Sequence, residues 1–276
     1  MKTLLAVITI LFSVSCFSQN LMMKAITDNN LGKVKALVEE KPDIVNKEME
    51  YISYPLIEAA GLARIDIVKY LVEKGAKIDA KSTDKGETAV LKIASTMETP
   101  TDARLKAYLA IIDYFGDQKQ SFNVTDKNGK GPLFLLARKK IRTADVKNYV
   151  EIVKEFMKYG AKFTDKGNAC CLQELLSSEG IPGGDKKIDF GSFEAAKELV
   201  GLGASITEVD ENKNTPLHVI LLNRRATDDL KVDIVKFLME KGAKTNVKNA
   251  SKQSPEDLVK KDSPLYEIIK KTKPKK

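Results

Sequence analysis

Four stretches of this chain carry their apolar residues in one register: "DIVKYLVEKGA" (66–76), "EIVKEFMKYGA" (151–161), "EAAKELVGLGA" (194–204) and "DIVKFLMEKGA" (233–243). Counting back from the glycine, the apolar positions are Ile67, Val68, Leu71 and Val72, then Ile152, Val153, Phe156 and Met157. They continue as Ala195, Ala196, Leu199 and Val200, then Ile234, Val235, Leu238 and Met239. A spacing of i, i+1, i+4, i+5 draws one stripe along an α-helix, with Lys and Glu on the other faces. The glycine that follows can enter the left-handed region at no steric cost, so each phrase reads as a helix C-terminus with its cap.

A second pattern precedes these helices. "YPLIEAA" (54–60), "TAVLKIA" (88–94), "GPLFLLA" (131–137), "CCLQELL" (170–176) and "TPLHVIL" (215–221) align, with "SPEDLVK" (254–260) as a degraded last copy. Proline suits the first helical position because it has no N–H to leave unpaired there. Thr or Ser just before it is a good N-cap. Each unit is predicted to be a short helix, a connection, a second helix and a glycine stop, with polar turns such as "STDKGE", "TDKNGK" and "DENKN" between units.

With Thr215-Pro216-Leu217-His218 at one start and Gly-Ala at four ends, the sequence resembles ankyrin-repeat proteins, of an exported bacterial type. The resemblance implies an all-α solenoid of stacked helix pairs with short hairpin fingers. Seven units cover residues 19–273, the first and last being caps; the first, "LMMKAITDNNLGKVKALVEE", keeps Val34, Leu37 and Val38 in register. It also implies a concave face of fingers and first helices that binds protein partners, and a structural role for His218 in tightening its hairpin.

The chain departs from the pattern in its spacing. Pro55, Ala89, Pro132, Cys171, Pro216 and Pro255 are 34, 43, 39, 45 and 39 residues apart, against a usual period of about 33. The surplus falls between the two helices of a unit, so these connections are expected to be enlarged into loops forming a second ridge, or partly into extra helical turns. They carry Arg104, Arg138, Lys139, Lys140, Arg224 and Arg225. Unit three has Gly116-Asp117 in place of Gly-Ala, which predicts a looser junction with unit four.

Composition adds a destination. Lys2, an apolar run from Leu4 to Val14 and the small residues before Gln19 have the layout of a signal peptide over 1–18. The chain is therefore expected to be exported, to the periplasm or beyond. A lipoprotein anchored through Cys16 is the alternative. No segment is apolar enough to span a membrane. The net charge of +8 comes from lysines interspersed with acids, apart from "RKKIR" and the tail ending at 274–276. This pattern argues against a nucleic-acid partner.

Candidate chemistry is sparse: one histidine and no nucleophile or phosphate-loop motif, so neither an enzyme nor a cofactor or metal site is expected. Cys170–Cys171 is a possible redox pair near a helix start, which keeps a thiol-dependent stress protein as an alternative. The leading expectation is a monomeric, non-catalytic scaffold for a protein partner. Its candidate contacts are the finger residues Lys81, Asp84 and Lys85, then Asp126, Lys127 and Asn128, then Asp165 and Lys166, then Asp210, Glu211 and Lys213.

Overall fold

The computed structural model describes residues 19–49, 53–98, 102–163, 170–182 and 188–271. The leader with Cys16, the turn residues Asp165 and Lys166 and the basic tail lie outside them. Among the described residues, seven helix pairs follow one another. They are α1 (19–27) with α2 (Leu31–Glu40), α3 (Pro55–Gly61) with α4 (Ile65–Glu73), and α5 (Ala89–Thr96) with α6 (Asp102–Asp117). Next come α7 (Pro132–Ala137) with α8 (Val146–Lys158), and α9 (Cys171–Leu176) with α10 (Gly191–Gly201). The last are α11 (Pro216–Leu222) with α12 (Asp228–Glu240), and a 3-10 turn (Pro255–Leu258) with α13 (Pro264–Lys271).

The six first helices that follow a turn begin at Pro55, Ala89, Pro132, Cys171, Pro216 and Pro255, the aligned positions of the sequence. Thr88 and Thr215 cap their helices by accepting the N–H of Leu91 and of His218, which satisfies one of the free donors of the first turn.

The chain divides into two compact bodies, one holding the pairs up to Asn128 together with Lys158–Gly160, the other Gly129–Met157 and the chain from Ala161 on. In the first, α3 packs on α5, and α2 and α6 on α4. In the second, α9 packs on α7 and α11, the 3-10 turn 255–258 on α11, and α12 on α10 and α13. First helices thus stack on first helices and second on second, and the apolar stripes make a continuous core in each body. Ile67, Val68, Leu71, Ile152, Val153, Phe156, Leu199, Val235 and Leu238 are almost wholly buried. Val72, Met157 and Val200, at i+5, are only half-buried: that position lies about 140° round the helix from the first, at the rim of the stripe.

Each predicted glycine stop is left-handed: Gly75, Gly160, Gly203 and Gly242 have φ of 86°, 98°, 101° and 95°. The Gly75 N–H donates to the Val72 carbonyl and the Ala76 N–H to that of Leu71, both at 2.9 Å, closing the helix in a Schellman motif. Gly203-Ala204 and Gly242-Ala243 repeat both bonds. A Cβ on any of the four would meet nothing within 4 Å, so glycine stands there for its backbone freedom alone.

One expectation is corrected. Gly116-Asp117 is not the stop of the third pair. The helix runs through Gly116, and the left-handed residue is Lys119 (φ 58°), whose N–H donates to Gly116 while that of Gln120 donates to Phe115. Gly116 is small because the Tyr159 ring lies where a Cβ would be.

The surplus residues between paired helices are divided between extra helical turns and loops, the two outcomes that the sequence allows. α6, α8, α10 and α12 are 16, 13, 11 and 13 residues long against 9 for α4. The described loops include a 3-10 turn at Thr143–Asp145 and a short antiparallel pairing of Ile181–Pro182 with Ile188–Asp189. Asn223 stitches one connection to its neighbour: its amide donates to the carbonyls of Leu176 and Ser178, both at 2.9 Å, and its Oδ1 accepts the N–H of Arg225 and of Ala226.

Candidate functional site

Four of the turns before first helices are closed in a common way. The N–H of Met49, Ser82, Asp210 and Asn249 donates to the carbonyl of Ser53, Glu87, Asn214 and Gln253 respectively. Side chains then fix the tip. Asp210 Oδ1 accepts the N–H of Asn212 and of Asn214, at 2.9 and 2.8 Å, and Asn249 Oδ1 does the same for Ser251 and Gln253. These are Asx turns, in which a short side chain replaces a backbone acceptor. Asp126 accepts from the Asn128 N–H and Asp84 from that of Lys85. Desolvation opposes ionisation of Asp84, but the bonds from Lys85 and Ser82 and the Lys85 charge hold its carboxyl below the usual value.

Successive turns are also tied together within each body. In the first, Glu48 accepts the Thr83 N–H and hydroxyl, the Lys127 N–H donates to the Lys85 carbonyl at 2.9 Å, and the Lys127 ammonium reaches the Thr83 carbonyl. In the second, the Ala250 N–H donates to Asn212 and the Asn249 amide to Asn214 Oδ1. His218 is fully buried. Its Nδ1 accepts from the Thr215 N–H, so Nε2 carries the proton and donates to the Gln253 carbonyl in the next turn at 3.0 Å. Gln173, the third residue of α9 as His218 is of α11, does the same work one repeat earlier: its amide donates to the carbonyls of Glu208 and Asn214.

The predicted contact residues therefore divide. Lys81, Asp84, Lys85, Lys127, Asn128, Glu211 and Lys213 have exposed side chains, while Asp126 and Asp210 are half-buried and occupied with turn geometry. Cys171 is buried at the start of α9, and Cys170 donates to the Val209 carbonyl at 3.5 Å.

Sequence reading missed a cleft beside the turns of the first body. Ser53, Glu58, Asp84, Lys85, Glu87 and Lys92 line it, and its volume is about 400 Å3. Lys92 lies 2.9 Å from Glu58 and 3.7 Å from Glu87, and all three side chains are at most one-fifth exposed. Ser95 donates to the second oxygen of Glu87 at 2.5 Å. The signal was present in the register. Glu58 and Lys92 are each the fourth residue of their helix, so stacking α3 on α5 sets the two opposite charges against each other.

The ankyrin-repeat family model matches residues 53–83 and 212–250, the second and sixth helix pairs with their turns. Those two segments are ankyrin repeats. Among solved structures, the human ASB11 ankyrin-repeat domain superposes with a TM-score of 0.62 at 15% identity, covering 92% of this chain and 98% of that one. The ankyrin-repeat domain of Bcl-3, a member of the IkappaB family, gives 0.65 at 16% identity, covering 91% and 97%. At such identities the likeness is one of fold. Ankyrin repeats are generally protein–protein interaction modules, and no helix among the described residues is long and apolar enough to cross a membrane.

Proposed function

We propose that this chain is a non-catalytic ankyrin-repeat scaffold, exported by the leader at 1–18, that binds a protein partner in the periplasm or cell envelope through its turns and first-helix faces. The observation that carries the reading is the combination of fixed backbone and free side chains at the turns. Asp84, Asp126, Asp210 and Asn249 hold their tips in shape by hydrogen bonds, while Lys81, Lys85, Glu211 and Lys213 remain exposed. A partner meeting such a surface orders few groups on binding, so less of its contact energy is lost to entropy. The Glu58–Glu87–Lys92 cleft adds a polar recess beside Asp84 and Lys85.

Capture tests this. The tagged chain, expressed with its own leader, is cross-linked in intact cells beside a variant carrying K81Q, D84N, K85Q, E211Q and K213Q. The reading expects one dominant partner on the wild type and its loss on the variant, with unchanged thermal melting. A partner retained by the variant, or no specific partner, contradicts it. Mass spectrometry of the mature chain tests export separately: a terminus at Gln19 is expected, an acylated Cys16 would replace that cleavage by the lipoprotein alternative, and an intact leader would contradict export.

A further inference from the structure

The inserted connections of the second body come together around a different cleft, of about 420 Å3, between the 3-10 turn at Thr143–Asp145, the junction of β2 (Ile188–Asp189) with α10, and the first turns of α12. We propose that it is a second docking site, for a lysine- or arginine-containing peptide segment of a protein partner. It shares no residue with the turns and goes beyond the reading above.

Its base is apolar. The Phe190 and Phe193 rings stack with centroids 4.7 Å apart, and Leu230 beside them is 47% exposed, one of three large hydrophobic side chains that face solvent among the described residues. Its rim is acidic. Asp189, Glu194, Asp229 and Asp233 line the cleft against a single cation, Lys197, which is engaged with Glu194 at 2.9 Å. Asp229 and Asp233 are exposed and have no ion pair among the described residues. This negative surplus stands in a chain of net charge +8, so the cleft attracts what most of the surface repels.

The site is built and held. Asp189 accepts the Thr143 N–H, the Thr143 hydroxyl at 2.7 Å and the Gly191 N–H at 2.8 Å, fixing the 3-10 turn to the start of α10. Gly191 allows the approach, since a Cβ there would overlap the Arg142–Thr143 backbone. A lysine or arginine fits both features: its methylene stem covers Phe and Leu surface while its head reaches the carboxylates. The volume suits one or two such side chains.

The test uses the purified full chain and a short fluorescein-labelled peptide of alternating leucine and arginine, with a leucine–glutamate peptide as counterpart. Saturable anisotropy is expected with the basic peptide. The variant D229N/L230S/D233N should bind it about tenfold more weakly, because exposed ion pairs and a partly exposed leucine each contribute modestly. The turn variant K81Q/D84N/K85Q/E211Q/K213Q should bind it as the wild type does. The proposal is overturned if the basic peptide does not bind, if the cleft variant binds it as tightly as the wild type, or if the glutamate peptide competes for the same place.

Discussion

Two glycines one repeat apart have different reasons to be glycine, and substitution separates them. Gly75→Ala places a side chain in open space but in the left-handed region, which costs about 1 kcal/mol. Gly116→Ala keeps helical backbone but meets the Tyr159 ring, itself packed 5.4 Å from Phe122 and bonded to Asp113. It should cost more, about 2–3 kcal/mol, in the range of overpacking. Lys119→Gly should stabilise by roughly 1 kcal/mol, because Lys119 already holds the left-handed position at a steric cost. Urea unfolding of the three variants measures all of this; a destabilising Lys119→Gly would mean that the third stop is misplaced here. His218→Ala should cost about 2 kcal/mol by leaving the Thr215 N–H and the Gln253 carbonyl unpaired, with His218→Gln recovering part, as Gln173 does in its own repeat.

At the scale of elements, the extra turn of α12 brings Lys231 into the interior. Lys231 is 6% exposed, and its ammonium reaches the Leu221 carbonyl at 3.4 Å and Asp228 at 3.7 Å. Burial lowers its pKa from 10.5, and Asp228 offsets only part of that. Because the folded pKa lies below the unfolded one, the unfolded chain binds more protons in the window beneath 10.5, and stability contributed by this group rises with pH there. Lys231→Met should remove that rise and be neutral or stabilising at pH 7. Comparing urea midpoints of the two proteins from pH 7 to about pH 10.5 checks it; parallel profiles would contradict it. In the first body, Lys92→Met leaves Glu58 and Glu87 buried without their cation and should cost about 3 kcal/mol.

These elements also mark how far the sequence could be read. First-helix starts and glycine stops were legible because proline position and left-handed backbone are local demands. The stop at Lys119 was not, since lysine carries no sign of a positive φ. Extra turns in the second helices were allowed by the sequence, but not their extent: α6 includes the polar run "DARLKAY". The acidic cleft joins residues some forty positions apart, from Thr143 through Asp189 to Asp229, and only the fold brings them together.

For the whole molecule, local modules repeated seven times yield two kinds of surface. Turns with fixed backbones expose alternating charges, and inserted connections gather acids over aromatic side chains. The central claim is that a protein partner docks on the turns and first-helix face, and site-specific photo-cross-linking in intact cells tests it most directly. A benzoylphenylalanine is placed at Asp84 or Glu211 on the turns, and at Lys69 or Lys154 on exposed flanks of second helices. The account predicts one discrete cross-linked species from Asp84 and Glu211 and none from Lys69 and Lys154. The same species from Lys69 and Lys154 alone would contradict it.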